Sequence, residues 1–330
     1  MRPAGLLLPI VCALAWLMPA QETTLKTTVP LVVAATTITD RAGHYVRGLT
    51  PPDLLLLDNN VPRNIQVDEL TMPISLVVAV NSTQEAWAAL DKIKKIGSMI
   101  EPLVAGERGE AAVIWYGQEV TVAQDFTSDT GTLEGVFRHV RAHGSGGSAI
   151  EAVAKAVDLL AARKDSRKIV FVIGESKDRG SKMPLAQAIS RAQRENVTVY
   201  FITYSRFLTP FTSTDWGPVC DAHHENCKPR DPEWGDAKDL LAMLGQMQEL
   251  AKTNIAEAFA KYTGGRRVSF LKQKGLEEVI ESLGAEIHNQ YLISFTPPHS
   301  DPEEFHQIRV TVRNRSDLVV RTRAGYWPVP

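Results

Sequence analysis

Between residues 74 and 288, short apolar runs alternate with longer segments in which apolar residues recur at helical spacing. Short apolar runs are typical of strands buried on both faces of a sheet, and helical spacing is typical of the helices that cover such a sheet. The alternation predicts an α/β fold with a doubly wound, mainly parallel sheet. The first predicted strand begins at residue 74, and the others cover 111–116, 168–173, 197–204 and 267–271, with an antiparallel edge at 120–126. The predicted helices cover 85–104, 130–140, 148–162, 185–195, 236–262 and 276–287.

Both ends of the chain have a different pattern, rich in Val and Thr and interrupted by turn residues. Residues 28–70 and 290–324 contain alternating or Val-rich runs, which predict β-strands. Asp58, Asn59 and Asn60 follow an apolar run and are typical of a hairpin turn. We therefore expect strands from the two ends of the chain to form one β-sandwich that flanks the α/β sheet.

Polar residues cluster where the predicted strands stop or where the next helix starts. They are Asn81, Ser82, Thr83 and Glu85 after the first strand, Ser148 at the start of a helix, and Glu175 and Asp178 after the strand at 168–173. In open α/β sheets, ligands bind at the carboxyl ends of the strands. This edge of the sheet is therefore the predicted binding site.

The run ISLVVAVNSTQE, followed later by GGS at 146–148 and GES at 174–176, resembles a von Willebrand factor type A domain. With the patterns TDRAGHYVRGLTPPDLLLLDNNVPRNI and QYLISFTPP near its ends, the chain is similar to the VWFA-related secreted proteins common in acidobacteria. The resemblance implies four segments: a signal peptide at 1–20, N-terminal strands at 21–72, a Rossmann-like A-type domain at 73–288, and C-terminal strands at 289–330. The strands at the two ends would complete an immunoglobulin-like sandwich.

In such domains, an Asp-x-Ser-x-Ser motif, a Thr and an Asp hold a Mg²⁺ ion that keeps one position open for a partner's carboxylate. The resemblance implies that the matching positions here are Asn81, Thr83, Glu85, Ser148 and Glu175, with Ser82 and Asp178 as additional candidates. Every matching position departs from the family pattern. Because Mg²⁺ demands near-ideal octahedral geometry, the longer Glu side chains and the uncharged Asn81 predict a degenerate site. We expect no tightly bound cofactor, with weakly bound Mg²⁺ or Ca²⁺ as the alternative.

The same residues also have structural interpretations that need no metal. The polar residues at 81–83 would cap the following helix. Ser148 would cap the helix at 148–162, with Glu151 as the second member of a capping box. Glu175 would pair with Lys177 or Arg179.

The first twenty residues have the pattern of a signal peptide, because Arg2 precedes an apolar core at 6–17 that is too short to span a bilayer. No later segment predicts a transmembrane helix. The protein is therefore predicted to be exported to the periplasm or the extracellular space. The exact cleavage position after Ala20 is one of the points that the sequence leaves open.

Cys220 and Cys227 remain after removal of the signal peptide. In an oxidising compartment they predict a disulfide, with a zinc site that includes His223 and His224 as the alternative. Both cysteines fall in an irregular segment at 206–234, which also contains Trp216 and Trp234. Long irregular loops are often functional, so these tryptophans either anchor the loop or bind a partner.

The formal net charge of −2 indicates no global basic field, and we expect no nucleic-acid partner. The sequence contains no phosphate-binding P-loop and no Gly-x-Ser-x-Gly or His-Glu-x-x-His motif. The leading hypothesis is an exported, non-enzymatic interaction or adhesion module that binds a protein or a cell-envelope component. The alternatives are a metal-dependent hydrolase that uses Glu85, Glu175 and Asp178 or the two adjacent histidines, and a structural envelope protein with an inactive site. The amino-acid sequence indicates no particular oligomeric state.

Overall fold

A computed structural model describes residues 31–68, 72–86, 90, 93–104, 109–142, 144–204, 254–270, 273–298 and 304–328. Within these ranges the strands are β1 Val32–Thr39, β2 Leu54–Asp58, β3 Val61–Pro62, β4 Gln66–Asp68, β5 Ile74–Asn81, β6 Glu110–Tyr116, β7 Val120–Thr127, β8 Arg167–Gly174, β9 Thr198–Tyr204, β10 Arg267–Phe270, β11 Tyr291–Phe295, β12 His306–Val312, β13 Val319–Arg321 and β14 Gly325–Tyr326. The α-helices are α1 Ile96–Val104, α2 Thr130–Arg138, α3 Ala149–Ala161, α4 Leu185–Arg194, α5 Ile255–Thr263 and α6 Gln273–Ile287.

Six strands form the central sheet, in the order β10-β9-β8-β5-β6-β7. All neighbouring pairs are parallel except β6 and β7, which are antiparallel. This confirms the predicted mainly parallel α/β sheet and its antiparallel edge. The strand β5 is one of the two central strands, and it is hydrogen-bonded to β6 on one side and to β8 on the other.

Both faces of β5 are covered, and all eight of its residues are buried. Val77 and Ala79 pack on one face against α3, α4 and α5. Leu76, Val78 and Val80 pack on the opposite face against α1, α2 and α6. Because successive side chains of a strand point to opposite faces, an unbroken apolar run is what two layers of helices require.

The two ends of the chain form two further four-stranded sheets, in the orders β13-β1-β11-β4 and β14-β12-β2-β3. Their pairs are antiparallel, and β1 with β11 and β2 with β12 join residues from opposite ends of the chain. One apolar core contains residues of both sheets, including Ile38, Leu56, Ile293 and Val310. The segment boundaries and the immunoglobulin-like type given in the sequence analysis remain predictions.

A buried polar cluster joins three strands of the second of these sheets. His306 Nδ1 lies 2.7 Å from Asp58 Oδ1, and the Tyr326 hydroxyl donates to Asp58 Oδ2 at 3.2 Å. Arg63 Nε also donates to Asp58 Oδ2, at 2.9 Å. Burial and the neighbouring carboxylate raise the pKa of Tyr326, so its hydroxyl stays protonated and remains a donor.

A second buried cluster connects the outer strands to the central domain. The Glu286 carboxylate on α6 is 1% exposed and forms ion pairs with Arg321 on β13 and with Arg266, whose Nε lies 3.3 Å from Glu286 Oε2. Arg321 also donates to the Thr37 hydroxyl on β1 at 3.2 Å. Gln290 donates to the same hydroxyl, and to the hydroxyl of Tyr200 on β9. The carboxylate therefore stabilises the junction between the two parts of the protein.

Several local predictions are confirmed, and two strands were missed. Asn59 and Asn60 both have positive φ, at 48° and 64°, as a tight hairpin turn requires. The two-residue strands β3 and β14 were not predicted, because so short a run has no measurable periodicity. The helix predicted at 85–104 is interrupted: a 3₁₀ turn covers Gln84–Ala86, Leu90 and Ile93 are helical, and α1 begins at Ile96 after a turn at residues 94–95.

Some predictions fall outside the described residues. They are the signal peptide at 1–20, the cysteines at 220 and 227, the histidines at 223 and 224, the tryptophans at 216 and 234, and most of the helix predicted at 236–262. The last part of that helix is α5, which begins after Asn254. No helix in the described ranges is long and apolar enough to cross a membrane.

Replacement of Glu286 by Gln should lower the free energy of unfolding by about 3 kcal/mol, because two partly buried guanidinium groups lose their carboxylate. Glu134→Gln is the matched control, because Glu134 pairs with Arg138 on an exposed helix face and should cost less than about 1 kcal/mol. Denaturant unfolding of the two variants measures the difference. Equal losses would show that Glu286 does not hold the junction.

Candidate functional site

Three adjacent strands end at the same edge of the central sheet. In the strand register, Asn81 at the end of β5 pairs with Tyr116 at the end of β6. On the other side, Val80 pairs with Ile173, one residue before Gly174 at the end of β8. Asn81 and Tyr116 are both buried. The edge predicted from the sequence therefore exists and brings these strand ends together.

The turn after β5 is held by hydrogen bonds from its own residues. The Asn81 side-chain oxygen accepts from the backbone N–H of Thr83 at 3.0 Å, and Ser82 N–H donates to the Tyr116 carbonyl at 2.9 Å. The Thr83 hydroxyl is buried and has no hydrogen-bond partner in the described part of the chain. Glu85 lies on the following 3₁₀ turn and is exposed. Asn81 therefore holds the chain after β5 through its side chain, whereas Glu85 is exposed.

Ser148 precedes α3, but its side chain does not cap that helix. Its hydroxyl donates to the Gly117 carbonyl at 2.8 Å, and its N–H donates to the same oxygen at 2.9 Å. Glu151 accepts from the N–H of Lys182 at 2.7 Å instead of from Ser148. The predicted capping box is therefore wrong, because both side chains find partners in loops distant in sequence.

Asp178 caps α3 across the fold. Its Oδ1 accepts from the N–H of Ile150 at 3.1 Å and from the Ser181 hydroxyl at 2.8 Å. Its Oδ2 accepts from the N–H of Ser181 at 2.9 Å. A carboxylate at a helix N-terminus satisfies backbone donors and interacts favourably with the helix dipole. Oδ1 therefore joins the loop after β8 to α3, and Oδ2 holds that loop internally.

Glu175, the residue after β8, is paired within the same loop. Its Oε2 lies 3.5 Å from Nη2 of Arg179, which confirms one of the two predicted partners. The Glu175 side chain is 14% exposed, whereas the Arg179 side chain is 54% exposed. The N–H of Arg179 donates to the Gly147 carbonyl at 3.1 Å, which holds its backbone beside the loop that carries Ser148.

Tyr116 was not singled out from the sequence, although it lies at the centre of this edge. Its hydroxyl donates to the Ile173 carbonyl at 3.3 Å. Burial raises the pKa of Tyr116 well above its usual range, and Tyr204, Asp178 and Glu175 add to the shift. A Cβ atom on Gly174 would lie 1.9 Å from the Tyr116 hydroxyl, so only glycine fits there. The sequence signal that could have pointed to this contact is the glycine at the end of an apolar strand.

The edge thus brings together the residues after β5, the start of α3 and the loop after β8. Glu85 is the member of the predicted set that is exposed on the outside. Among the residues described here, no three His, Cys, Asp or Glu side chains are close enough together to hold a metal ion. The predicted cysteine and tryptophan sites lie outside those residues.

Comparison with protein-family models finds no match, and neither does comparison with curated proteins. Among solved structures, the chain is similar to a von Willebrand factor type A protein from Catenulispora acidiphila, with 8% identity, a TM-score of 0.46, and coverage of 91% of this chain and 75% of that one. It is also similar to an aerotolerance-related membrane protein from Bacteroides fragilis, with 12% identity, a TM-score of 0.43, and coverage of 65% and 98%.

A third similar structure is the vWF domain of the type V pili tip protein Mfa5 from Porphyromonas gingivalis. Its identity is 11%, its TM-score is 0.39, and the match covers 66% of this chain and 96% of that chain. All three TM-scores are below 0.5, so the comparisons carry no assignment of fold family or of function. The architecture stated above rests on the strand order and pairing of this chain.

Replacement of Gly174 by Ala should destabilise the protein by about 1–3 kcal/mol, because the added methyl group overlaps the Tyr116 hydroxyl. Tyr116→Phe alone should cost about 1 kcal/mol through the lost hydrogen bond. In the double variant the overlap with the hydroxyl is removed, so the combined loss should be smaller than the sum. Denaturant unfolding of the four proteins tests this, and strict additivity would contradict the contact.

Proposed function

We propose that this chain is a von Willebrand factor type A-like interaction module that binds a protein or a cell-envelope component at the strand-end edge. The observation that carries the proposal is the convergence of Asn81, Tyr116 and Gly174 at the carboxyl ends of three adjacent strands. Ligands of open α/β sheets bind at such edges. The family resemblance of the sequence adds support, because its matching positions fall on this edge.

We also propose that the module is not an enzyme. A general acid or base needs a carboxyl group that can reach a substrate. Asp178 uses both oxygens to accept from Ile150 and Ser181, and Glu175 lies beside Arg179. These contacts favour a structural use of the carboxylates over the hydrolase alternative.

We infer further that the edge holds no tightly bound metal ion. A Mg²⁺ site needs hard oxygen ligands that are available and correctly placed. The Asn81 oxygen already accepts from Thr83, and Glu85 is exposed on a 3₁₀ turn. Glu175 is balanced by a guanidinium group. This donor set does not fit an octahedral ion, so the binding activity proposed here does not depend on one.

We propose in addition that the protein is exported to the periplasm or the extracellular space. We also propose that the outer sheets are of the immunoglobulin-like type. The signal-peptide pattern at 1–20 supports export. The two antiparallel sheets that share one apolar core support a sandwich. An exported module with a flanking sandwich fits an interaction role at the cell envelope.

The proposed binding edge can be located by site-specific photo-crosslinking in the source cells. Lys177 and Lys164 are both exposed and lie in the loops after and before β8, at opposite ends of that strand. A benzophenone side chain at position 177 should give a discrete cross-linked product in the envelope fraction. The same side chain at position 164 should not. Equal products from both positions, or none from either, would overturn the proposal that this edge binds a partner.

The inference about metal has its own test. The wild-type melting temperature should be the same in EDTA and in millimolar Mg²⁺ or Ca²⁺, whereas an ion at a hundred times its dissociation constant would add about 2.7 kcal/mol. Asn81→Asp should melt lower in EDTA, because it adds a buried charge, and should gain stability with Mg²⁺. Gln187→Glu, at an exposed position of α4, is the control and should show neither effect. A Mg²⁺-dependent rise in the wild type would contradict the inference.

A further inference from the structure

The loop after β8, residues 176–182, is named here the basic loop because it carries three exposed cationic side chains. Lys177, Arg179 and Lys182 are exposed, whereas the one acidic residue in the loop, Asp178, is half-buried. The Asp178 carboxylate is compensated by backbone donors at the start of α3. Positive charge therefore faces solvent, and the negative charge of the loop faces the fold.

The basic loop is held at several points along its length. Ser176 at its start accepts through its carbonyl from the N–H of Ile255 at 3.0 Å, and Lys182 at its end donates its N–H to Glu151. In the middle, a Cβ atom on Gly180 would lie 2.9 Å from the Ser148 hydroxyl, so the loop packs closely on the start of α3. A loop ordered before binding loses little conformational entropy when a ligand arrives.

Arg179 occupies the central position of this loop. Its backbone is held by the Gly147 carbonyl, and its guanidinium lies beside the half-buried Glu175 carboxylate, with more than half of the side chain exposed. Glu175 contacts one Nη atom of the planar fork. A guanidinium group has five N–H donors, so others remain to form a paired hydrogen bond with an incoming carboxylate.

We propose that Arg179 is the cation of this edge, and that it binds a carboxylate of an acidic protein segment directly, without a metal ion. This inference rests on the proposed function and names the chemistry of its partner. Glu175 is a positioning residue that orients the guanidinium. Lys177 and Lys182 flank the contact and attract neighbouring acidic residues of the partner.

The test uses a fluorescein-labelled peptide of alternating Glu and Gly, with a Gln-Gly peptide as the neutral probe, in EDTA and at low salt. Fluorescence anisotropy should show binding of the acidic peptide alone. Arg179→Gln should weaken that binding at least about tenfold, because it removes the charge-assisted paired hydrogen bond. The variant with Lys177→Gln and Lys182→Gln should have a smaller effect, because these side chains contribute long-range attraction without a paired hydrogen bond.

Arg138→Gln is the matched control. Arg138 is also exposed, pairs with a Glu four residues earlier at 3.4 Å, and contributes the same charge to the protein. Its removal should leave binding of the acidic peptide unchanged. Arg138→Gln should keep the wild-type melting temperature, whereas Arg179→Gln should lower it slightly, because the mostly buried Glu175 carboxylate loses a guanidinium partner.

Four outcomes would overturn the inference. The first is no binding of the acidic peptide, and the second is equal weakening by Arg179→Gln and Arg138→Gln. The third is binding that appears only with added Mg²⁺, which would assign the role to a metal. The fourth is binding to vesicles of phosphatidylglycerol and phosphatidylcholine without binding to the peptide, which would indicate a lipid surface. A cross-link from position 177 but not from position 164 would in each case leave the proposed binding edge intact.

Discussion

The burial of β5 on both faces is the constraint on which the rest of this structure depends. A strand with eight buried residues needs a layer of helices on each side, and α1 to α6 supply those layers. Parallel pairing with β6 and β8 then aligns three strand ends at one edge. The edge is therefore a geometric consequence of the core, and its polar residues lie where the apolar run stops.

The polar groups at this edge are largely used to hold the fold. Ser148 donates to a carbonyl of the loop after β6, Asp178 accepts from the first turn of α3, and Glu151 on α3 accepts from the N–H of Lys182 in the loop after β8. Arg179, paired with Glu175, keeps more than half of its side chain exposed.

The outer sheets are attached to the central domain by buried polar contacts in addition to apolar packing. Arg323 is buried and donates to the carbonyls of Val33 and Gln193, so it joins β1 to α4. Asn196 accepts from the N–H of Val33 at 3.1 Å. With the Glu286 cluster, these bonds connect the first and last strands of the described chain to the same domain. Such buried polar networks favour one arrangement of the two parts over others.

The sequence alone determined the class of the fold and most of its elements, because periodicity and turn chemistry are local properties. It placed the central strands, the antiparallel edge and the hairpin at Asn59 and Asn60 correctly. It also indicated the edge at which Asn81, Ser148 and Glu175 would lie. Only the tertiary structure decided which partner each polar side chain has. Ser148 and its acceptor are 31 residues apart in sequence, and Tyr116 meets a carbonyl 57 residues away. Such pairs form because distant segments pack together, and no local pattern records them.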